Sequence, residues 1–369
     1  MTPPADANGT VFAARQARVR AALELEGIDA LLLSVGADLP YLTGYEAMPL
    51  ERLTMLVLPR DGEVVLVVPE LEAPRVPDHG ACTIVPWSET ADPIGIVAGL
   101  ARGLTKVAIG DHTWTRFTLA LQSALPHASF SPANAITGPL RAVKDADEIA
   151  ALRAAAHAVD AVAVEMRSRP FGGRTEAAVS RELVDRMLEH GHQRANFAIV
   201  GSGPNGASPH HDASDRLIRD GDVVVCDFGA TMHGYCSDTT RMFVVGDPSS
   251  EVADTYAALA DAQELAVHAA AVGTPCEDVD AVARRALELH GLAAAFIHRI
   301  GHGIGLEAHE DPYIVAGNSH PLVAGHAFSV EPGVYFPGRF GMRLEDIVVA
   351  TDAGPDRLNC SPRDLAVVG

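Results

Sequence analysis

Two apolar runs in this 369-residue chain each carry a carboxylate where a buried strand should carry none. Asp227 follows ValValValCys, and Glu331 follows AlaPheSerVal. Short apolar runs of this kind read as buried strands. A carboxylate embedded in one cannot stay ionised without a partner. Any fold the chain adopts must therefore bring compensating charge to both places. Each carboxylate also has a companion. Asp238 lies just beyond a turn at residues 230–234, and a hairpin folded about residues 232 and 233 sets Asp227 directly opposite it. Glu345 lies beyond ProGlyArg at 337–339, and a hairpin folded about residue 338 sets Glu331 opposite it. Directly opposed residues stand about 5 Å apart at Cβ, where like charges destabilise a ladder.

One such pair is usually a solvated face; two in buried settings call for a shared counter-charge. No lysine occurs between residues 145 and 369, and few arginines lie near. Four carboxylates carry −4, which two divalent cations would cancel. Carboxylates with an imidazole suit manganese, cobalt, iron or zinc, oxygen ligands favouring the harder ions. The stretch RIGHGIGLEAHEDP, Arg299 to Pro312, supplies imidazole candidates: His302 and His309, with Gly301, Gly303 and Gly305 around the first. The rival motif readings fail. GHGIG ends in no GlyLys(Ser/Thr) and forms no dinucleotide fingerprint, HEDP is not HExxH, and no GxSxG elbow occurs. AspPheGly at 227–229 lacks the loops that accompany it in kinases.

A formal net charge of −20 argues against nucleic acid or an anionic membrane as partner. Five scattered cysteines without a CxxC pair read as reduced thiols of a cytoplasmic protein. The N-terminus lacks the pattern of a signal peptide, and no apolar run reaches the length of a membrane span. Residues 1–144 alternate helix and strand patterns, including a hairpin signal at ArgAspGly 60–62, and predict an α/β domain with a mixed sheet. Residues 145–369 open with helices over Glu148–Ser168 and Thr175–His190 and then turn to strands, with a helix pair at 250–290.

VCDFGATMHGYCSDTTRMF, GHGIGLEAHEDP, FSVEPGVY and GMRLEDIVV together resemble the motifs of the pita-bread metallopeptidases: Xaa-Pro dipeptidases (prolidases), Xaa-Pro aminopeptidases and methionine aminopeptidases. The likeness runs from about residue 145 to 365. It implies an α+β pita-bread catalytic domain over 145–369, and a creatinase-like N-terminal domain over 1–144, as in the proline-specific members. It implies metal ligands at Asp227, Asp238, His302, Glu331 and Glu345, with Asp238 and Glu345 bridging two metals, manganese foremost and cobalt, zinc or iron as alternatives. It places His210 and His309 beside the scissile carbonyl, with His211 a neighbour, and makes Glu331 the general base. It gives substrate contacts to His298, Arg343 and Tyr235. The reaction implied is hydrolysis of Xaa-Pro bonds by a metal-bridging hydroxide, on a small peptide with proline second, in a cytoplasmic homodimer. A hydrolase of another small amide on the same scaffold is the alternative, and a non-catalytic binding protein is disfavoured because all five ligand positions are filled. The glycines around His302 are expected to admit close backbone approach to metals and substrate. His326 is expected at the core edge, and Cys226 and Cys236 as small apolar packing groups.

Overall fold

The structure is a computed structural model that describes residues 5–369. It divides into two compact units, one ending at Arg141 and one spanning Ala142–Gly369. Val143 and Lys144 belong to the second unit: Val143 pairs with His326, and the Lys144 N–H donates to the Gly325 carbonyl.

The first unit is built on a six-stranded mixed sheet in the order Thr83–Trp87, Val65–Pro69, Met55–Pro59, Ala30–Leu33, Lys106–Ile109, Ser129–Pro132. The three middle strands are antiparallel, and the flanking ones join in parallel. The expected hairpin at 60–62 is the link between Met55–Pro59 and Val65–Pro69. Leu32, Val57, Val67 and Val107 fill the core on one face of the sheet, with Val97 and Leu121 from the helices Pro93–Leu100 and Thr115–Ala124.

The second unit has two five-stranded sheets and a separate hairpin. Its first helix, Ala146–Met166, starts with a capping box: Asp145 accepts the Glu148 N–H and Glu148 accepts the Asp145 N–H. With the helix Glu176–Glu189 it covers one face of the strands Val223–Met232 and Thr239–Val245. The helices Ser250–Ala269 and Cys276–Glu288 cover the core formed with the other sheet. All ten residues of Val223–Met232 are buried, so the strand alternates between two cores and not between core and water. Val224, Cys226 and Phe228 enter the helix-covered core. Val223 and Val225 point the other way, and Asp227, two residues on, shares their face.

The first hairpin departs from the expected register. Its turn residues are His233 and Gly234, at φ of 51° and 85°, so the fold lies one residue later than 232 and 233. Two successive positive φ values suit the two-residue turn that matches strand twist, with glycine at the second place. Asp227 therefore faces Thr240, and Asp238 falls in the two-residue break between Tyr235–Cys236 and Thr239–Val245. The error shifts the pairing by two residues and so leaves Asp238 on the same face; a shift of one would have reversed it. The second hairpin keeps the expected register, with Gly333 opposite Arg343 and Val330 opposite Asp346. It is interrupted where Glu331 and Glu345 stand, between Ala327–Val330 and Gly333–Phe336 on one arm and between Phe340–Arg343 and Asp346–Thr351 on the other. Among the described residues, no helix is long and apolar enough to cross a membrane.

Candidate active site

Nine of the ten residues expected at the site line one cleft of about 660 Å³. The four carboxylates and His302 sit at its floor. Asp227, Asp238 and Glu345 offer oxygens that all lie within 4.8 Å of one another, and so do His302, Glu331 and Glu345. Asp238 also groups with His302 and His309. Asp238, His302 and Glu345 each belong to two of these clusters, so the groups overlap closely enough to surround two neighbouring ions.

The polar chemistry of this floor is incomplete without cations. Asp227 Oδ1 and Asp238 Oδ1 are buried with no hydrogen-bond partner. Burial holds the Asp227 carboxyl above its ordinary range, against the pull of Arg343. Burial and then the charge of Glu345 push Asp238 well above its usual value, and burial and then Glu331 do the same to Glu345. Burial acts upward on Glu331 too, yet the hydrogen bond and charge of His302 and the charge of Arg343 bring it down to about 2. His302 completes the pattern. Its Nδ1–H donates to the Gly303 carbonyl at 3.1 Å, which turns Nε2 toward Glu331 Oε1 at 3.3 Å and Asp238 Oδ2 at 3.9 Å. A histidine tied through one nitrogen to a carbonyl, with the other aimed into a carboxylate cluster, has the geometry of a metal ligand. Orphaned oxygens, raised carboxyls and an oriented imidazole all fit two divalent ions.

Arg343 holds the site together from one side. Its guanidinium donates to Asp227 Oδ2, to Tyr335 Oη at 2.9 Å and to the Pro209 carbonyl at 3.3 Å. Its Nε–H reaches Thr240 Oγ1 at 3.1 Å, and the Thr240 hydroxyl donates to Glu345 Oε2 at 2.8 Å. The Tyr335 hydroxyl donates to His298 Nε2 at 2.9 Å. His298 Nδ1–H donates to the Arg299 carbonyl at 2.7 Å, which fixes the neutral tautomer, and burial lowers the pKa of this ring.

The His309 ring packs against that of His302, centroids 3.9 Å apart and planes tilted by 43°. Its ring opens to solvent, but partial burial and then the charge of His302 push its pKa down to about 4. His210 lines the cleft, whereas His211 turns away and donates from Nε2 to Glu176 Oε2 at 2.9 Å. Glu176 is fully buried and anchors the loop carrying both histidines. It accepts from the Ser202 N–H and hydroxyl, from Asn205 Nδ2 and from the Ser214 N–H and hydroxyl.

The chain's kinship rests on this site together with two family matches. The profile of metallopeptidase family M24 matches residues 150–352, and that of the creatinase/prolidase N-terminal domain matches residues 15–143. This chain belongs to metallopeptidase family M24. It is 44% identical over 364 residues to the probable dipeptidase PepE of Mycobacterium tuberculosis, covering 97% of each chain. The crystal structure of dipeptidase PepE from Mycobacterium ulcerans superposes with a TM-score of 0.90 at 44% identity, covering 98% of each chain. A prolidase from Thermococcus sibiricus superposes at 0.92 with 37% identity, covering 96% of this chain and 98% of its own. The second unit is thus an M24 pita-bread domain and the first a creatinase-like domain.

Tyr235 is the residue the M24 site does not use as expected. It is buried among Leu152, Ile304 and Val349, and its hydroxyl donates to Glu148 Oε1 at 2.8 Å, away from the cleft. The later register of its hairpin puts Tyr235 on the first residue after the turn, opposite Met232. The tyrosine that does reach the site is Tyr335, which the sequence reading passed over, as it did Thr240. Thr240 stands two residues from Asp238 and Tyr335 four from Glu331, even spacings of the kind that return a side chain to the same face of a strand. The glycines also need a different account. A Cβ on Gly301 would collide with the Ser329 carbonyl, and one on Gly303 with Asp311. They admit neighbouring strands, not metals or substrate. His326 accepts the Val323 N–H outside the cleft, and Cys226 and Cys236 pack in separate apolar cores.

Proposed function

We propose that this M24 peptidase hydrolyses Xaa-Pro bonds in small peptides, as a dipeptidase or an aminopeptidase, in a cytoplasmic homodimer. The observation that carries the reading is the convergence of Asp227, Asp238, His302, Glu331 and Glu345 with three histidines and Arg343 in one cleft. The names of its relatives, dipeptidase and prolidase, support the same substrate class. Asp227, Asp238 and Glu345 would hold one divalent ion, and His302, Glu331 and Glu345 a second, with Asp238 shared. Manganese is the first expectation, with cobalt, zinc or iron as alternatives. Such ions, when bound, polarise a carbonyl and lower the pKa of water.

The chain's own groups do the rest. Glu331, tied to Ser329 and His302, takes a proton from the attacking water and returns it to the leaving nitrogen. His210 and His309 face the cleft and donate to the oxygen that gains charge in the tetrahedral intermediate. Neutral His298 and the Arg343–Tyr335 pair form a polar wall that orients the substrate beyond the scissile bond. A prolyl bond offers no N–H, so recognition falls to side chains such as these.

The test is direct. The protein is stripped with a chelator and assayed on Gly-Pro, Ala-Pro and Ala-Pro-Ala with added Mn²⁺ or Co²⁺. Metal-restored release of proline or of the first residue is expected. No metal-restored cleavage of any of the three sinks the reading.

A further inference from the structure

The cleft contains two guanidinium groups, and only one of them is used. Arg343 is buried and committed to Asp227, Thr240, Tyr335 and Pro209. Arg299 also lines the cleft, but it is half-exposed. Its guanidinium lies over the Tyr313 ring at 4.4 Å from the centroid. Among the described residues it meets no carboxylate and no hydrogen-bond acceptor. The other arginine of the cleft, Arg343, ends on the carboxylate of Asp227, and Arg284, outside the cleft, ends on Asp280. Arg299 is therefore a cation held in place and left without its anion.

Its backbone is well fixed. The Arg299 carbonyl takes the His298 Nδ1–H, and the next residue's N–H donates to Asp280 Oδ1 at 2.9 Å. Stacking on an aromatic face restrains the planar fork while leaving its N–H edges free, which suits bidentate capture of a carboxylate. It lines the same cleft as His210 and His309, the side chains that the proposed reading sets beside the scissile carbonyl. A peptide of uncharged residues brings one anion, its C-terminal carboxylate. In a dipeptide that group sits on the residue directly after the scissile bond. In a longer peptide an amide stands there instead.

We infer that Arg299 is a specificity-determining residue whose guanidinium binds the C-terminal carboxylate of a dipeptide, making this chain a dipeptidase in preference to an aminopeptidase. The inference rests on the Xaa-Pro peptidase reading and goes beyond it by assigning the substrate's length to one side chain.

The test compares Mn²⁺-loaded wild type, Arg299→Met and Arg299→Lys on Ala-Pro, Ala-Pro-amide, Ala-Pro-Ala and Glu-Pro. Wild type is expected to favour Ala-Pro over its amide by at least tenfold in kcat/KM. In Arg299→Met that ratio falls at least tenfold, the loss lying in KM, with Arg299→Lys intermediate because it keeps the charge and loses the fork. Competitive inhibition gives a readout independent of turnover: proline weakens at least tenfold against Arg299→Met, and prolinamide does not. Equal losses for acid and amide overturn the inference, as does a wild type indifferent to the carboxylate. So does a loss confined to Glu-Pro, which would assign Arg299 to an acidic first residue. Cleavage of none of the substrates by wild type refutes the peptidase reading itself, a separate result.

Discussion

Glu176 makes the strongest case for a residue outside the cleft that sets its geometry, and replacing it with glutamine puts numbers on that case. The carboxylate is fully buried, yet it has no lysine or arginine in direct contact. What holds its charge is a ring of donors: Ser202, Asn205, His211 and Ser214. Burial raises its pKa, but the hydrogen bonds win and lower it from 4.5 to about 2. A depression of that size corresponds to about 3 kcal/mol of folding free energy at neutral pH. The folded pKa is the lower one, so this contribution is fully present above about pH 4.5 and is lost as pH falls toward 2. Glu176→Gln keeps the shape, removes the charge and turns an N–H₂ toward donors.

The assay is urea unfolding of metal-stripped wild type and variant across pH, so that ligand protonation is common to both. The expected gap is about 3 kcal/mol at pH 7, flat down to about pH 5, and narrowing steadily below that. A gap that stays constant to pH 3, or one under about 1 kcal/mol at pH 7, would refute the account of how this charge is held. Kinetics supply a second check. The donors on either side of His210 both grip Glu176, at Ser202 and Asn205 before it and at His211 and Ser214 after it. The variant should therefore lose kcat by tenfold or more while still binding Mn²⁺ with wild-type stoichiometry.

Other expectations can be checked with the same tools. Asp238→Asn should abolish turnover, by a factor of 100 or more, and lower the bound metal measured by elemental analysis; unchanged kcat/KM would overturn its place among the ligands. Tyr335→Phe should cost about tenfold in kcat/KM, because it cuts the link from Arg343 to His298. Tyr235→Phe should leave kinetics within twofold and cost about 1 kcal/mol of stability by removing the bond to Glu148. If the two tyrosines exchange these effects, the placement of their hairpins is wrong. Gly301→Ala should destabilise the second unit by about 2 kcal/mol or more, since the added methyl meets the Ser329 backbone; a Tm unchanged from wild type would contradict the close strand contact.

The buried carboxylates were legible in the sequence because charge inside an apolar run has few physical outlets, and each run was long enough to be read as a strand. The turns were legible only in part. ProGlyArg at 337–339 fixes its hairpin, whereas HisGly at 233–234 conceals its register, because a histidine at positive φ is uncommon and gives no signal as plain as Asn-Gly. The expectation of Tyr235 in the cleft comes from the family resemblance and not from the turn; the two-residue shift leaves its face unchanged, and its hydroxyl is drawn off by Glu148. The deeper limit lies in contacts between elements distant in sequence. Thr240 meets Glu345 across 105 residues, and Glu176 meets Ser214 across 38. Neither side chain stands in an unusual local pattern: a threonine in a strand and a glutamate after a helix cap are ordinary at that level. Their importance arises only when the fold brings a strand break or the loop carrying His210 against them. The same holds for Arg299. Its place three residues before His302 is visible in the sequence, but its lack of a protein anion emerges only when the fold shows which side chains its guanidinium meets.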